Sequence, residues 1–164
     1  METEAYIALG SNLGDRELNL LRAVSELGRL PGCRVTALSR FYETSPVGMP
    51  DDTPAFLNGA LRLSTGLPAR ELIDQLQRIE RQVFGRTPST SAASRRMDLD
   101  LLMYGQQVLT EPRLTVPHPR MAARRFVLQP LAEIAPDLVE PRSGKTINEL
   151  LAALNSDERV TPLE

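Results

Sequence analysis

The chain has 164 residues, 41% of them hydrophobic and 24% charged, and a formal net charge of −2. That length suits a single domain, 1–164, with a real core, and the composition excludes a disordered chain. The charge excludes a general nucleic-acid footprint, and no apolar run nears the ~20 residues that a membrane span needs.

Tyr6–Leu9 reads as a strand running into a turn, Gly10-Ser-Asn-Leu-Gly14. Asp15 is a plausible N-cap for a helix whose apolar stripe is Leu18, Leu21, Val24 (or Ala23) and Leu27, stopped by Leu30-Pro-Gly32. Cys33, the only cysteine, cannot form an internal disulfide, which fits a reducing, cytoplasmic compartment. Arg34–Glu43 alternates, with Val35, Ala37 and Phe41 on one side, and so predicts a strand. Thr44–Pro54 is too rich in Pro, Gly and Asp to be regular. Phe56–Ser64 is the next strand, with Leu57, Leu61 and Leu63 on one face and Phe56, Asn58 and Ala60 on the other. Pro68 opens a second helix with Leu72, Leu76, Ile79 and Val83 as its stripe and Gly85 as its cap. Thr87–Ser94 has no periodicity and reads as a loop.

Next comes Arg95-Arg-Met-Asp-Leu-Asp-Leu-Leu-Met-Tyr-Gly105. As a strand it places Met97, Leu99, Leu101 and Met103 on one face, and Asp98, Asp100, Leu102 and Tyr104 on the other. After it come a short strand, a Pro-rich turn at Val116–Pro119, a helical segment from about Arg120 and a last helix near Ile147–Leu154. The residues from about Asn155 carry no readable motif. The order β-α-β-β-α-β predicts an α+β, ferredoxin-like core, an antiparallel sheet with two helices on one face and C-terminal additions.

Asp98 and Asp100 set the chemical problem. Their carboxylates share a face roughly 7 Å apart, and like charges on an apolar strand repel and resist burial. A wet edge strand would excuse them, but Leu102 and Tyr104 continue the same face with apolar bulk. A divalent cation with oxygen preference would neutralise both, and Mg²⁺ typically completes its shell with water and phosphate. The phosphate site is not a P-loop, because the glycine that should precede Gly144-Lys145-Thr146 falls on Val139. Arginines would have to serve instead, and Lys145 is the only lysine in the chain. His118, the only histidine, sits in a rigid turn and is either structural or a donor to phosphate. Phe56 and Asn58 pair a ring with an amide, as a slot for a flat heterocycle would.

Taken together, Tyr6-Ile-Ala-Leu-Gly-Ser-Asn-Leu13, Phe41-Tyr-Glu-Thr-Ser-Pro-Val47, Phe56-Leu-Asn58, Gln77-Arg-Ile-Glu80, Gly85-Arg86, Asp98-Leu-Asp100-Leu and Arg113-Leu-Thr-Val-Pro-His118 resemble the 6-hydroxymethyl-7,8-dihydropterin pyrophosphokinase family of folate synthesis. The resemblance implies transfer of pyrophosphate from ATP to the pterin hydroxymethyl group, releasing AMP, on a ferredoxin-like fold. It implies that Asp98 and Asp100 hold two Mg²⁺ ions. Thr44, Pro46, Val47 and Asn58 would line the pterin pocket, with the ring between Phe56 and Phe126. Gln77, Glu80, Leu101, Arg113, Thr115 and His118 would contact ATP, and Arg86, Arg95 and Arg124 would meet the phosphates during reaction. The family's Arg-Trp pair before the aspartates is missing from Ser91-Ala-Ala-Ser-Arg-Arg-Met-Asp. That departure raises an alternative, a catalytically weak paralogue that binds nucleotide or pterin without transfer. No nucleic-acid or membrane partner is expected, and the chain is expected to be a monomer or weak dimer.

Overall fold

The computed structural model describes residues 2–44, 54–85, 96–156 and 158–163. Its centre is an antiparallel sheet. Strand β1 (Thr3–Ser11) pairs on one side with β4 (Phe56–Thr65) and on the other with β5 (Asp98–Tyr104). β4 in turn pairs with β2 (Cys33–Leu38) and with β3 (Tyr42–Thr44), and β3 pairs with a C-terminal strand, β10 (Val160–Pro162). Two small hairpins, β6–β7 (Leu109–Glu111, Leu114–Val116) and β8–β9 (Val139–Glu140, Lys145–Thr146), lie outside this sheet.

Helices α1 (Arg16–Gly28) and α2 (Ala69–Arg78) close one face over Ile7, Leu9, Leu57, Leu61, Leu99 and Leu101. Asp15 caps α1 by accepting from the Leu18 amide at 3.1 Å. The stripe that α1 buries is Leu20, Ala23 and Leu27, with Val24 beside it, whereas Leu18 and Leu21 are 59% and 48% exposed. The expected stripe was therefore wrong at its first two positions. Both sets have helical spacing, and the direction from which the sheet approaches selects between them.

The two core helices share one face as expected, and the C-terminal additions cover the opposite face. Helix α3 (Arg125–Ile134), preceded by a 3₁₀ turn at Met121–Ala123, and α4 (Ile147–Ala153) pack over Tyr6, Ala60, Leu102 and Met103. Thr146 and Glu149 form a capping box on α4. A register shift in the β1–β5 ladder, where Tyr6 faces Met103 but Ile7 faces Leu101, leaves Leu102 as an extra residue. This bulge breaks the alternation read from the sequence: Met103 joins Leu102 under α3, and Tyr104 turns to the α1–α2 core. The expected strand Arg34–Glu43 is two strands, β2 and β3, and the second extends to Thr44. No helix among the described residues is long and apolar enough to cross a membrane.

Candidate active site

The aspartates stand opposite two very small residues of β1, Asp98 facing Gly10 and Asp100 facing Ala8. Both are half-buried, and they share the α3 side of the sheet with Asn58 and Ala60, which face the same Gly10 and Ala8 from β4. Gly10 belongs to the strand interior, although the sequence suggested a turn there. A Cβ on it would lie 2.9 Å from Asn58 Oδ1. Glycine within a strand marks such a close approach, and that signal in the sequence went unused.

Asn58 is buried, and its Nδ2 donates to Thr44 Oγ1 at 2.8 Å. That bond fixes the amide, turning Oδ1 toward Gly10. Phe56 lies on the same face, opposite Thr44 in the β3–β4 ladder. Phe126 enters from the first turn of α3, half-buried against the α3-side core, with the Arg124 guanidinium 5.5 Å from its ring centre. Phe56, Asn58, Thr44 and Phe126 thus belong to one side of the sheet. Pro46, Val47, Arg86, Arg95 and the Thr87–Ser94 loop lie outside the described residues.

A cleft of about 360 Å³ joins the aspartates to the residues expected to contact ATP, while Thr44, Phe56, Asn58, Phe126 and Arg124 are not among its lining. α2 contributes Gln77, the π-helical turn Ile79–Val83 that follows it contributes Glu80, β5 contributes Asp98, Asp100 and Leu101, and the β7 region contributes Arg113, Thr115 and His118. All six positions expected to contact ATP line this one cleft, beside both aspartates. The departure from α-helical winding places Glu80 inward, 7% exposed, where its carboxylate accepts from the Leu99 amide at 2.7 Å. Leu99 sits between the two aspartates on β5, the edge of the sheet among the described residues, so Glu80 engages an amide that no described strand takes.

His118 is anchored through its backbone, its amide donating to the Leu102 carbonyl at 2.8 Å. Its Nδ1 accepts from the Arg120 amide at 3.1 Å, so the neutral ring carries its proton on Nε2 and can donate from there. Burial pushes the imidazole pKa below its ordinary value, as do Arg124 and Arg120, with Asp98 opposing. No group of three or more His, Cys, Asp or Glu side chains able to hold a metal occurs among the described residues. Two carboxylates and water suit a hard cation whose remaining ligands are phosphate oxygens, so the donor set fits Mg²⁺ better than a softer metal.

The model of the 7,8-dihydro-6-hydroxymethylpterin-pyrophosphokinase family matches residues 6–136. A Pseudomonas aeruginosa protein named 2-amino-4-hydroxy-6-hydroxymethyldihydropteridine pyrophosphokinase is 45% identical over 153 residues, 93% of each chain. A Bacillus subtilis protein of the same name is 44% identical over 150 residues, 91% of this chain and 89% of that one. Among solved structures, wild-type Plasmodium falciparum HPPK-DHPS matches with a TM-score of 0.71 at 12% identity, covering 93% of this chain and 44% of that one. The same protein with pterin and p-hydroxybenzoate matches with a TM-score of 0.69 at 14% identity, covering 93% and 42%. The chain spans less than half of those solved chains, and at such identities they bear on the fold alone. The family match and the bacterial relatives establish that this chain belongs to the 7,8-dihydro-6-hydroxymethylpterin-pyrophosphokinase family.

Proposed function

We propose that this protein transfers the pyrophosphoryl group of ATP to the hydroxymethyl oxygen of 6-hydroxymethyl-7,8-dihydropterin, as an enzyme of folate synthesis. The family and the bacterial relatives support the reaction. The observation that carries the reading of the site is the single cleft in which Asp98 and Asp100 meet Gln77, Glu80, Arg113, Thr115 and His118, the two aspartates lying on the same sheet face as Phe56, Asn58 and Thr44.

In this reading the substrate hydroxyl oxygen forms a bond to the β-phosphorus. The bond from that phosphorus to the oxygen bridging to the α-phosphate breaks, AMP leaves with the electron pair, and the hydroxyl proton passes to solvent. Asp98 and Asp100 would hold two Mg²⁺ ions, whose chemistry is to neutralise phosphate charge as it shifts to the leaving group. His118 donates from Nε2 to a phosphate oxygen, and Arg113 adds positive charge at the cleft mouth. Arg124, with Arg86 and Arg95, meets the transferring group. Asn58, held by Thr44, reads the heterocycle edge while Phe56 and Phe126 stack on its faces, and Pro46 and Val47 complete the pocket. Most of the rate enhancement then comes from positioning and fixed charge, and no side chain has to act as a general base.

We also read the core as the ferredoxin-like βαββαβ unit, a reading supported by the neighbour order β5-β1-β4-β2 with every pair antiparallel. The chain is read as one domain, a cytoplasmic monomer or weak dimer. The binding-only alternative rests on the run before Asp98, of which residues 86–95 lie outside the described residues. The gathered cleft favours transfer. Incubation with ATP, Mg²⁺ and the dihydropterin should yield AMP and the pterin diphosphate, while ADP as product, or no AMP above blank, would reject the reaction.

A further inference from the structure

The C-terminal strand has no counterpart in the sequence reading, yet it touches both walls of the heterocycle slot. Val160, Thr161 and Pro162 of β10 pair with Thr44, Glu43 and Tyr42 of β3, and the Leu163 amide donates to the Phe41 carbonyl at 2.8 Å. Antiparallel ladders alternate between hydrogen-bonded and non-hydrogen-bonded pairs. With Leu163–Phe41 bonded, Thr161–Glu43 is the next bonded pair, and Pro162 falls where no N–H is needed. β3 has only three residues, and without β10 it would be the edge of the sheet. Its last residue, Thr44, holds the Asn58 amide.

The same segment reaches the opposite wall. Arg125, the first residue of α3, donates its backbone amide to the Glu158 carboxylate at 3.4 Å, and α3 has no side-chain cap of its own. Ser156 Oγ braces Glu158 at 3.1 Å, Arg125 Nη2 donates to the Leu154 carbonyl at 3.4 Å, and Gln129 Nε2 donates to the Val160 carbonyl at 3.5 Å. Arg125 is flanked by Arg124 and Phe126, so the tail fixes the helix turn that presents them.

We propose that Ser156 and residues 158–163 act as a positioning strap for pterin recognition, setting Thr44 and Asn58 through β10 and Phe126 through Glu158. This inference rests on the proposed pterin site. The strap makes none of the cleft contacts assigned to ATP, so its loss separates the two substrates.

The test is Thr161→Pro, which removes the amide of the central ladder bond at an exposed side chain, with Thr161→Val as the variant that keeps it. Calorimetry would measure the dihydropterin in the presence of Mg²⁺ and a non-transferable ATP analogue, and separately the analogue alone. Thr161→Pro should weaken pterin binding roughly two- to tenfold, the scale of one net hydrogen bond, and raise the pterin KM more than it lowers kcat. Analogue affinity should be unchanged, and Thr161→Val should behave as wild type. Glu158→Ala, which leaves the ladder intact, should also weaken pterin binding selectively. Unchanged pterin affinity in both Thr161→Pro and Glu158→Ala, or parallel losses for both ligands, overturns the strap. Failure of the wild type itself to bind the dihydropterin overturns the site assignment instead.

Discussion

The two faces of the central sheet share their strands and end differently. On the α1–α2 side, Ile7, Leu57, Leu61 and Leu63 are at most 1% exposed, and aliphatic side chains from both helices close the layer. On the α3 side, Tyr6, Ala60, Leu102 and Met103 are covered in the same way, but further along the same face come buried Gly10 and Asn58 and half-buried Asp98 and Asp100. These four are small, polar or acidic, and share their side of the sheet with the rings of Phe56 and Phe126. The closed core lies within each face, whereas the candidate site lies at the β5 edge, where Asp98 and Asp100 of the α3 side meet Gln77 and Glu80 from the α2 side.

Replacing either aspartate with alanine breaks the comparison most severely. Asp98→Ala and Asp100→Ala should each lower kcat on the order of 10²–10³-fold in Mg²⁺-dependent AMP formation, the scale for removing a fixed electrostatic partner. Circular dichroism and melting should show both variants folded, because neither side chain belongs to either apolar core. The closed core should respond in the opposite way. Leu61→Ala should cost ~2–5 kcal/mol in denaturant unfolding and leave substrate affinities of the folded protein intact. Leu21→Ala on exposed α1 should change stability by less than about 0.5 kcal/mol. Equal costs at Leu61 and Leu21 would contradict the face assignment.

Those two leucines show where sequence reading succeeds and where it stops. Strand faces were legible at β4, because alternation there is unbroken and Leu57, Leu61 and Leu63 all reach the core. The aspartate face was legible for the same reason up to Asp100. It failed at Leu102, because a bulge is set by how two strands pair rather than by either one alone. The α1 stripe was misjudged because a leucine-rich helix offers two apolar stripes, and only tertiary contact chooses one. β10 has three residues, one of them proline, too few for any period. Nothing local announces that its partner is Tyr42–Thr44 far upstream. The site residues were assigned through resemblance to a family, and the structure gathers the six expected ATP positions in one cleft, whereas Gly10 needed the geometry of Asn58.

Smaller effects sharpen the polar end of the α3-side face. Asn58→Ala should weaken pterin binding by roughly tenfold, since it removes a buried amide and leaves Thr44 without its partner. Gly10→Ala forces the Asn58 amide aside and should raise the pterin KM severalfold, with little change in ATP affinity.

His118 gives the finest test. Its folded pKa lies below its ordinary value of 6.5, so the unfolded chain binds the extra proton more readily. The neutral ring therefore contributes stability that is present above pH 6.5 and lost as pH falls from 6.5 through the folded pKa. His118→Gln should flatten that acid limb of the stability curve. In NMR titration of the ring, Arg124→Ala should raise the pKa and Asp98→Asn should lower it further. Opposite signs would place the ring outside the cleft.

The most direct measurement is a crystal structure of the complex with Mg²⁺, a non-transferable ATP analogue and the dihydropterin. Metal density bonded to Asp98 and Asp100, triphosphate beside His118 and Arg113, and the pterin ring against Phe56 and Asn58 are the result predicted here. Nucleotide and cations bound away from the cleft between α2 and β5, with both aspartates facing water, would contradict it.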